Sequence, residues 1–425
     1  MIYKAPRGTH DIFGEDVLAI NLLEKYARNI FTKNGFEEIR TPMFEEANLF
    51  IRAIGSITDI VEKEMYVFND KKGRKLALRP EGTASIARAF IEHKMNVLNT
   101  IGKFFYIGEM FRYEKPQNGR YRQFHQIGAE YFGNDNPIAD AEIITLAQNI
   151  LAYIGIKNIN ININSLGCQH CRPKFKKILV KYFYSMKKDL CDNCLSRLDT
   201  NPFRLLDCKL DTIKFINTPK ITNYLCNNCI NHFNTLKLLL KSGNCKYHIN
   251  NKLVRGLDYY TKTIFEINTI NDEDNAQSVL AAGGRYNNLV NELSEGKINT
   301  PAVGFAFGVE RVLRTVQKTL LINKSTPNEK ILIALADKEL LKEAFYYYTL
   351  LRKTLLQHKH NITLLAPIDS ISLTKQLKFA NQIGISKTII FAKEEYCNHK
   401  VIIKYMNNRK QITISISNLS KFLLI

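Results

Sequence analysis

The stretch from Phe104 to Phe132 constrains this chain more than any other. Phe104–Ile107 reads as a strand that Gly108–Arg112 carries to its end, and Gln123–Phe132 returns as a second strand. Tyr113–Arg122 lies between them with Pro116, Asn118 and Gly119 as turn residues. The expectation is a β-hairpin with a long basic loop bearing Arg112, Lys115, Arg120 and Arg122. A solvated hairpin tip would satisfy that pattern. The flanking strands, however, carry Arg112, Gln126 and Glu130 on what should be one face, because positions of equal parity share a face. Three polar groups on one face of an aromatic sheet point to a binding pocket.

Composition sets the outer limits. The chain has 425 residues, which predicts about three domains, and 45% hydrophobic residues, enough for globular cores. Lys and Arg total 60 against 40 Asp and Glu, a formal charge of +20. Such an excess suits a polyanionic partner, although much of the Lys is scattered. No apolar run is long enough to span a bilayer, and Met1–Arg7 lacks the apolar core of a signal peptide. A cytoplasmic protein with no membrane partner is expected.

Further elements follow in chain order. Val17, Ile20, Leu23, Ala27, Ile30 and Phe31 have helical spacing over Asp16–Lys33, and Gly35 suits the C-cap. Phe36–Arg40 reads as a strand stopped by Thr41-Pro42. Leu76–Arg79 is a strand running into Pro80, then Glu81, Gly82 and Thr83 lead into a helix. A carboxylate at a helix start also complements the helix dipole, so Glu81 alone is ambiguous. Asp140–Tyr153 reads as a helix and Ile159–Leu166 as a strand. Arg255-Gly256-Leu257-Asp258-Tyr259-Tyr260 precedes a strand at Thr263–Ile267, and charge beside two tyrosines is unusual for a core strand. Ala281-Ala282-Gly283-Gly284-Arg285-Tyr286 holds paired glycines, which permit close backbone approach to a ligand or a simple turn. Gly304–Gly308 alternates small with large residues before a helix at Val309-Glu310-Arg311. After a polar linker at 318–329, strands at Ile331–Leu335, Ile362–Leu365, Thr388–Phe391 and Val401–Ile403 alternate with helices at Leu340–His358 and Ser372–Ile383.

Phe111-Arg112-Tyr113-Glu114, with Gly119-Arg120-Tyr121-Arg122-Gln123-Phe124-His125-Gln126, resembles motif 2 of class II aminoacyl-tRNA synthetases. The segments around Pro42 and Arg311 resemble motifs 1 and 3. Arg255–Tyr260 and Ala281–Tyr286 are similar to the signatures of the histidyl branch. The resemblance implies an α/β (α+β) fold with an antiparallel-sheet catalytic core over 1–166 and 248–323. It also implies a cysteine-bearing, mostly helical insertion over 167–247 and a C-terminal α/β anticodon-binding domain over 328–425. It implies a homodimer that charges tRNA(His) with L-histidine, using ATP with Mg²⁺. On that resemblance Arg255 and Arg112 are the catalytic cations. Glu81, Gly82, Thr83, Arg112, Gln126, Glu130, Arg255, Tyr259 and Tyr260 would bind histidine, and Arg112, Arg120 and Arg311 would bind ATP. The chemistry fits independently: a carboxylate attacking a phosphate needs cations to shield two anions and stabilise the charge that builds. Two other classes stay open. One is a histidine-sensing subunit like the synthetase-like partner of ATP phosphoribosyltransferase. The other is a tRNA-binding regulator of the kind fused to stress kinases.

Eight of the nine cysteines lie between Cys168 and Cys245, with CxxC pairs at Cys168/Cys171, Cys191/Cys194 and Cys226/Cys229. Disulfides do not suit a reducing cytosol. Two CxxC pairs can share one tetrahedral zinc, and Cys191, Cys194, Cys226 and Cys229 are the expected ligands. Unliganded cysteines, some buried and some free, are the alternative.

Overall fold

A computed structural model describes residues 3–98, 101–115, 120–208, 210–270, 278–316, 329–358, 362–368 and 372–424. Pro116, Asn118 and Gly119 of the expected loop tip, and most of the expected linker, lie outside the described residues. The chain divides into two compact units, Met1–Ile322 and Asn323–Ile425.

An eight-stranded sheet organises the first unit. Its order is Glu37–Glu38, Gly102–Phe111, Gln123–Phe132, Ala302–Gly308, Val279–Arg285, Thr261–Thr269, Ile159–Ser165 and His248–Ile249. The two edge pairings are parallel and all the inner ones antiparallel. The hairpin of Gly102–Phe111 and Gln123–Phe132 is its backbone, in register from Gly102 opposite Phe132 to Phe111 opposite Gln123. The Phe36–Arg40 strand shrinks to Glu37–Glu38 at the edge, where one more hydrogen bond, Ile39 N–H to the Phe105 carbonyl, ends the pairing before Pro42.

Strand alternation gives the sheet two unlike faces. Phe105, Ile127, Ala129, Tyr131, Val303, Phe305, Phe307, Ala281, Phe265 and Ile267 all enter one core. Among the described residues four helices cover that face, one of them the short Val309–Thr315 helix through Val309, Val312 and Leu313. The Glu15–Lys33 helix buries Ala19, Leu23, Ala27 and Phe31, one residue per turn, and Phe31 stacks on Phe105 at 4.8 Å. Burying each such Phe contributes about 1.5–3 kcal/mol. The Pro137–Tyr153 helix starts three residues before the expected Asp140. Asn136 caps it by accepting from the Ile138 N–H, and Pro137 fits the first turn, where no intrahelical N–H bond is lost.

The third helix, Asn227–Ser242, comes from the expected insertion, yet it buries Phe233, Leu236 and Leu240 in this core. The preceding part of the insertion does otherwise. The helices Cys171–Ser185 and Asp192–Leu198 bury Phe175, Leu179, Phe183, Cys194 and Leu198 in a second core. That core also holds Phe50, Phe90, Tyr106, Tyr259, Tyr260 and Tyr286, so it lies against the other face of the sheet. A small sheet of Phe44–Glu46, Lys75–Leu78 and Val67–Asn69 leads from there into the Thr83–Glu92 helix.

The second unit is a five-stranded sheet ordered Ile362–Leu365, Glu329–Leu335, Lys387–Phe391, Lys400–Tyr405 and Gln411–Ser415. The first three strands are parallel and the last two antiparallel. The α/β alternation was expected; the Gln411–Ser415 strand and the Leu419–Leu424 helix were not. That edge strand alternates Ile with Thr or Ser, which suits a half-buried pleat, and it pairs with Lys400–Tyr405 along its length. Among the described residues no helix is long and apolar enough to cross a membrane.

Candidate active site

The second face of the sheet has a floor of small residues. In register, Gln126 lies opposite Gly308, Gly128 opposite Ala306 and Glu130 opposite Gly304. Ala306 in turn lies opposite Ala282, and Ala282 opposite Glu266. Residues directly opposite share a face, so Gly128, Gly304, Ala306, Gly308 and Ala282 make a shallow platform bounded by Gln126, Glu130 and Glu266. Gly304 is obligatory, because a Cβ there would overlap the Glu130 carboxylate. Tyr106 fills the space between Gly82 and Gly128, where a Cβ on either would strike its ring.

At one end of the platform lies a buried acidic pocket. Glu130 is 1% exposed; its Oε1 accepts from Thr83 Oγ1 at 2.7 Å and its Oε2 from the Tyr286 hydroxyl. Burial pushes the Glu130 carboxyl up to about 8, against the two hydroxyl donors that lower it. Glu81 is also buried and raised by burial, with the Ala84 and Thr83 N–H groups opposing the rise. Those N–H groups donate to it at 2.8 Å each, so Glu81 caps the Thr83–Glu92 helix. Tyr259 also donates to Glu81 at 3.5 Å. Tyr260 packs edge-on against Tyr259 with ring centroids 4.7 Å apart, and burial lifts its hydroxyl to about 12.

At the other end are four guanidinium groups. Arg112, Arg120, Arg255 and Arg311 line one cleft with Gln126, Ala282, Ala306 and Gly308. Arg112 does not arrive by strand parity, since its strand ends at Phe111. Its side chain reaches over instead, donating to the Pro80 carbonyl at 2.9 Å and lying 5.4 Å from the Phe124 ring centre. Arg120 faces Glu114 at 3.2 Å. Arg255 pairs with Glu266 at 2.5 Å. Arg311 donates to the Val279 carbonyl at 3.3 Å, and burial followed by the Arg120 charge lowers its affinity for its proton. Gln126 Oε1 is buried with no hydrogen-bond partner among the described residues, and Gln126 lines the cleft with the four arginines. Glu310, at the start of the Val309–Thr315 helix, is engaged elsewhere: it accepts from the His125 N–H at 2.9 Å and meets His125 Nδ1 at 2.7 Å. That contact raises the His125 imidazole, more than burial lowers it.

Several expectations change at this level. Gly283 and Gly284 make no turn. They lie inside the Val279–Arg285 strand, with Phe305 packed on one and Tyr260 on the other. Gly256 faces Arg204 of the insertion, 3.1 Å from where a Cβ would stand. Arg285 is wholly buried against Asp140, far from a ligand role. Burial alone would raise the Asp140 carboxyl, but the Arg285 guanidinium holds it down at about 2. The cysteines also divide differently. Cys191 and Cys194 meet Cys208 and Asp211, whereas Cys226 and Cys229 meet Cys168 and Cys171. The set Cys191, Cys194, Cys226 and Cys229 is therefore not one site, because the pairs close with nearer partners.

Tyr286 and Tyr106 were missed from the sequence, and Glu266 was legible there only as one of two acidic partners, with Asp258, open to Arg255. Parity along Thr261–Thr269 would have put Glu266 on the platform face once the sheet order was known. The insertion supports the tyrosine loop directly: Arg172 Nη1 donates to the carbonyls of Asp258 at 3.2 Å and Tyr260 at 3.0 Å, and Asn201 donates to Asp258.

Known proteins resemble this chain in sequence and in fold. The family model described as histidyl-tRNA synthetase matches residues 8–170 and 223–312, skipping most of the insertion. A histidine–tRNA ligase of Endomicrobium trichonymphae is 56% identical over 417 residues, covering 98% of this chain and 100% of the relative. One of Aquifex aeolicus is 44% identical over 423 residues, covering 99% and 100%. The crystal structure of apo S. aureus histidyl-tRNA synthetase superposes with a TM-score of 0.79 at 31% identity, covering 99% of each chain. An ATP phosphoribosyltransferase regulatory subunit/histidyl-tRNA synthetase from Bacillus halodurans shares the fold, with a TM-score of 0.63 at 19% identity over 90% of this chain and 97% of that one.

Proposed function

Because this chain belongs to the histidyl-tRNA synthetase family, we propose that it joins L-histidine to tRNA(His) in two steps, through a histidyl-adenylate made from ATP. The observation that carries the reading is the platform itself. A floor of glycine and alanine runs between a buried carboxylate and four arginines. A flat nucleotide lies on such a floor with its phosphates toward the cations, and an imidazole with an N–H to donate belongs at Glu130.

In the first step a histidine carboxylate oxygen attacks the α-phosphorus and pyrophosphate leaves. Both reactants are anions. Arg112 and Arg255, on opposite sides of the cleft, would draw them together and stabilise the charge that builds at phosphorus. Arg gives a fork for two oxygens and keeps its charge. Arg311, with Arg120, would hold the outer phosphates. Glu130 would accept the imidazole N–H and Tyr260 meet the other nitrogen, while Gln126 and Thr83 reach the α-ammonium. Glu81 would act there through its charge, its oxygens being occupied by the helix N–H groups. Of the acids lining the cleft, Glu310 is engaged by His125, and Glu114, which faces Arg120, would be the protein carboxylate toward Mg²⁺. When bound, the ion neutralises phosphate charge. In the second step the terminal ribose hydroxyl of tRNA attacks the histidyl carbonyl and AMP leaves.

The Met1–Ile322 unit holds every residue of this scheme, which leaves Asn323–Ile425 to grip the anticodon end of tRNA. The net charge of +20 fits that partner, and a cytoplasmic homodimer completes the reading. Light scattering showing a monomer at micromolar concentration would remove the dimer. Histidine-dependent ATP–pyrophosphate exchange, followed by charging of a tRNA pool, tests the activity. A histidine-sensing subunit or a tRNA-binding regulator would bind its ligand and give no exchange.

A further inference from the structure

We propose that the chain carries two separate structural zinc sites: one made by Cys168, Cys171, Cys226 and Cys229, the other by Cys191, Cys194, Cys208 and Asp211. In each set the four ligand atoms lie within 4.8 Å of one another. Cys168 Sγ is 3.7 Å from Cys171 Sγ and 3.9 Å from Cys226 Sγ, and Cys191 Sγ is 3.7 Å from Cys208 Sγ. Four thiolates around zinc at ~2.3 Å stand ~3.8 Å apart along each edge of the tetrahedron. A disulfide would need ~2.05 Å. A four-iron cluster would hold its cysteines further apart, each on its own iron. The spacing is that of one tetrahedral ion per set, and soft thiolates in a closed, four-ligand site select zinc.

The surroundings are arranged for anionic ligands. The Cys226 N–H points at Cys171 Sγ at 3.1 Å, and the Asp211 N–H at Cys208 Sγ at 3.5 Å. Hydrogen bonds of this kind favour the thiolate. Asp211 is 1% exposed beside three sulfurs; one oxygen accepts from the Cys191 N–H at 2.9 Å and the other from Lys214 Nζ at 2.9 Å. A buried carboxylate among thiolates needs a cation, and a second-sphere lysine on its outer oxygen is how such a ligand is oriented.

The positions of the two sites explain what they would hold. The first ties the chain entering the insertion, at the start of the Cys171–Ser185 helix, to the chain leaving it, at the start of the Asn227–Ser242 helix. The second pins the Asp192–Leu198 helix to Cys208 and Asp211. The stretch between the two ends is short for a core of its own, and small domains commonly need such a staple. Arg172, next to Cys171, holds the carbonyls of Asp258 and Tyr260, and Arg197 and Arg204 hold Asp59. The first zinc thereby positions the loop that carries Tyr259 and Tyr260.

The test uses the full chain, expressed in zinc-supplemented medium and purified without chelator. Elemental analysis should find two zinc ions per chain. Cys168→Ser with Cys226→Ser should leave one, and Cys191→Ser with Cys208→Ser should leave one. Cobalt(II) replacing zinc in the native chain should give the intense thiolate charge-transfer band and the visible bands of tetrahedral coordination, a readout that needs no variant to fold. Zinc well below one per chain, iron in its place, a single zinc in the native protein, or both metals lost from either paired variant that folds would overturn the assignment. None of these readings involves ATP or histidine, so absence of pyrophosphate exchange would leave this result standing.

Discussion

Tyr286 donates its phenolic hydrogen bond to the Glu130 carboxylate, joining residues 156 positions apart. Tyr286 follows the strand that ends at Arg285, and Glu130 lies on the central hairpin, two strands away in the sheet order. The other Glu130 oxygen is held by Thr83, so the acceptor expected for an imidazole is fixed in place before any ligand arrives.

Substitution at this pair should therefore act on one substrate. Glu130→Gln is expected to raise the histidine KM in exchange by roughly 10–100-fold, since a hydrogen bond to a charged group contributes about 1.5–3 kcal/mol. Tyr286→Phe should do the same more weakly. Neither should move the ATP KM comparably. An unchanged histidine KM in Glu130→Gln takes Glu130 out of the pocket.

Acid–base behaviour gives a second check. Glu130 keeps its proton to about pH 8 when folded, whereas its ordinary value is 4.5. Between those values the folded chain holds a proton that the unfolded chain has lost, so this group's contribution to stability falls as pH rises through the window. Denaturant melts across it should show a steeper loss for the native protein than for Glu130→Gln. Histidine affinity should run the other way, rising toward pH 8 as the acceptor ionises. Calorimetry in buffers of different ionisation enthalpy should then find proton release on binding near pH 7.

Arg255 is asked to do two things, pair with Glu266 and face the cleft. If the second is its function, Arg255→Ala should cost about 10²–10³ or more in the rate of adenylate formation while histidine still binds. Arg255→Lys should recover part, having the charge without the fork. If Arg255 only steadies the strand through Glu266, the melting temperature will drop and the rate per folded molecule will hold. Single-turnover exchange on protein shown to be folded separates these outcomes.

Removal of residues 329–425 should spare adenylate formation more than aminoacylation. The second unit has its own core, built from Ile331, Ile333, Leu351, Ile389, Phe391 and Val401, and none of the cleft residues. Comparing exchange with tRNA charging on the shortened chain decides it; equal loss of both would mean that the tail supports the active site.

Local pattern carried far in this sequence. The hairpin, the Glu15–Lys33 helix and the alternating tail are written in spacings of two and 3.6 residues, which depend only on near neighbours. Arg112, Arg120, Gln126, Arg255 and Arg311, named from motif resemblance, do line one cleft. What the tertiary structure decided was every relationship set by strand order. Gly304 leaves room for the Glu130 carboxylate, Gly284 lies under Tyr260, Glu266 pairs with Arg255, and Arg285 is buried on Asp140. The cysteines make the point most plainly: three CxxC pairs look interchangeable along the chain. Their partition follows from which segments the fold brings together, the start of Cys171–Ser185 beside that of Asn227–Ser242, and the start of Asp192–Leu198 beside Cys208 and Asp211. Side-chain period is a property of a segment, whereas contact between segments is won by packing across the whole core, and no stretch of sequence contains that information alone.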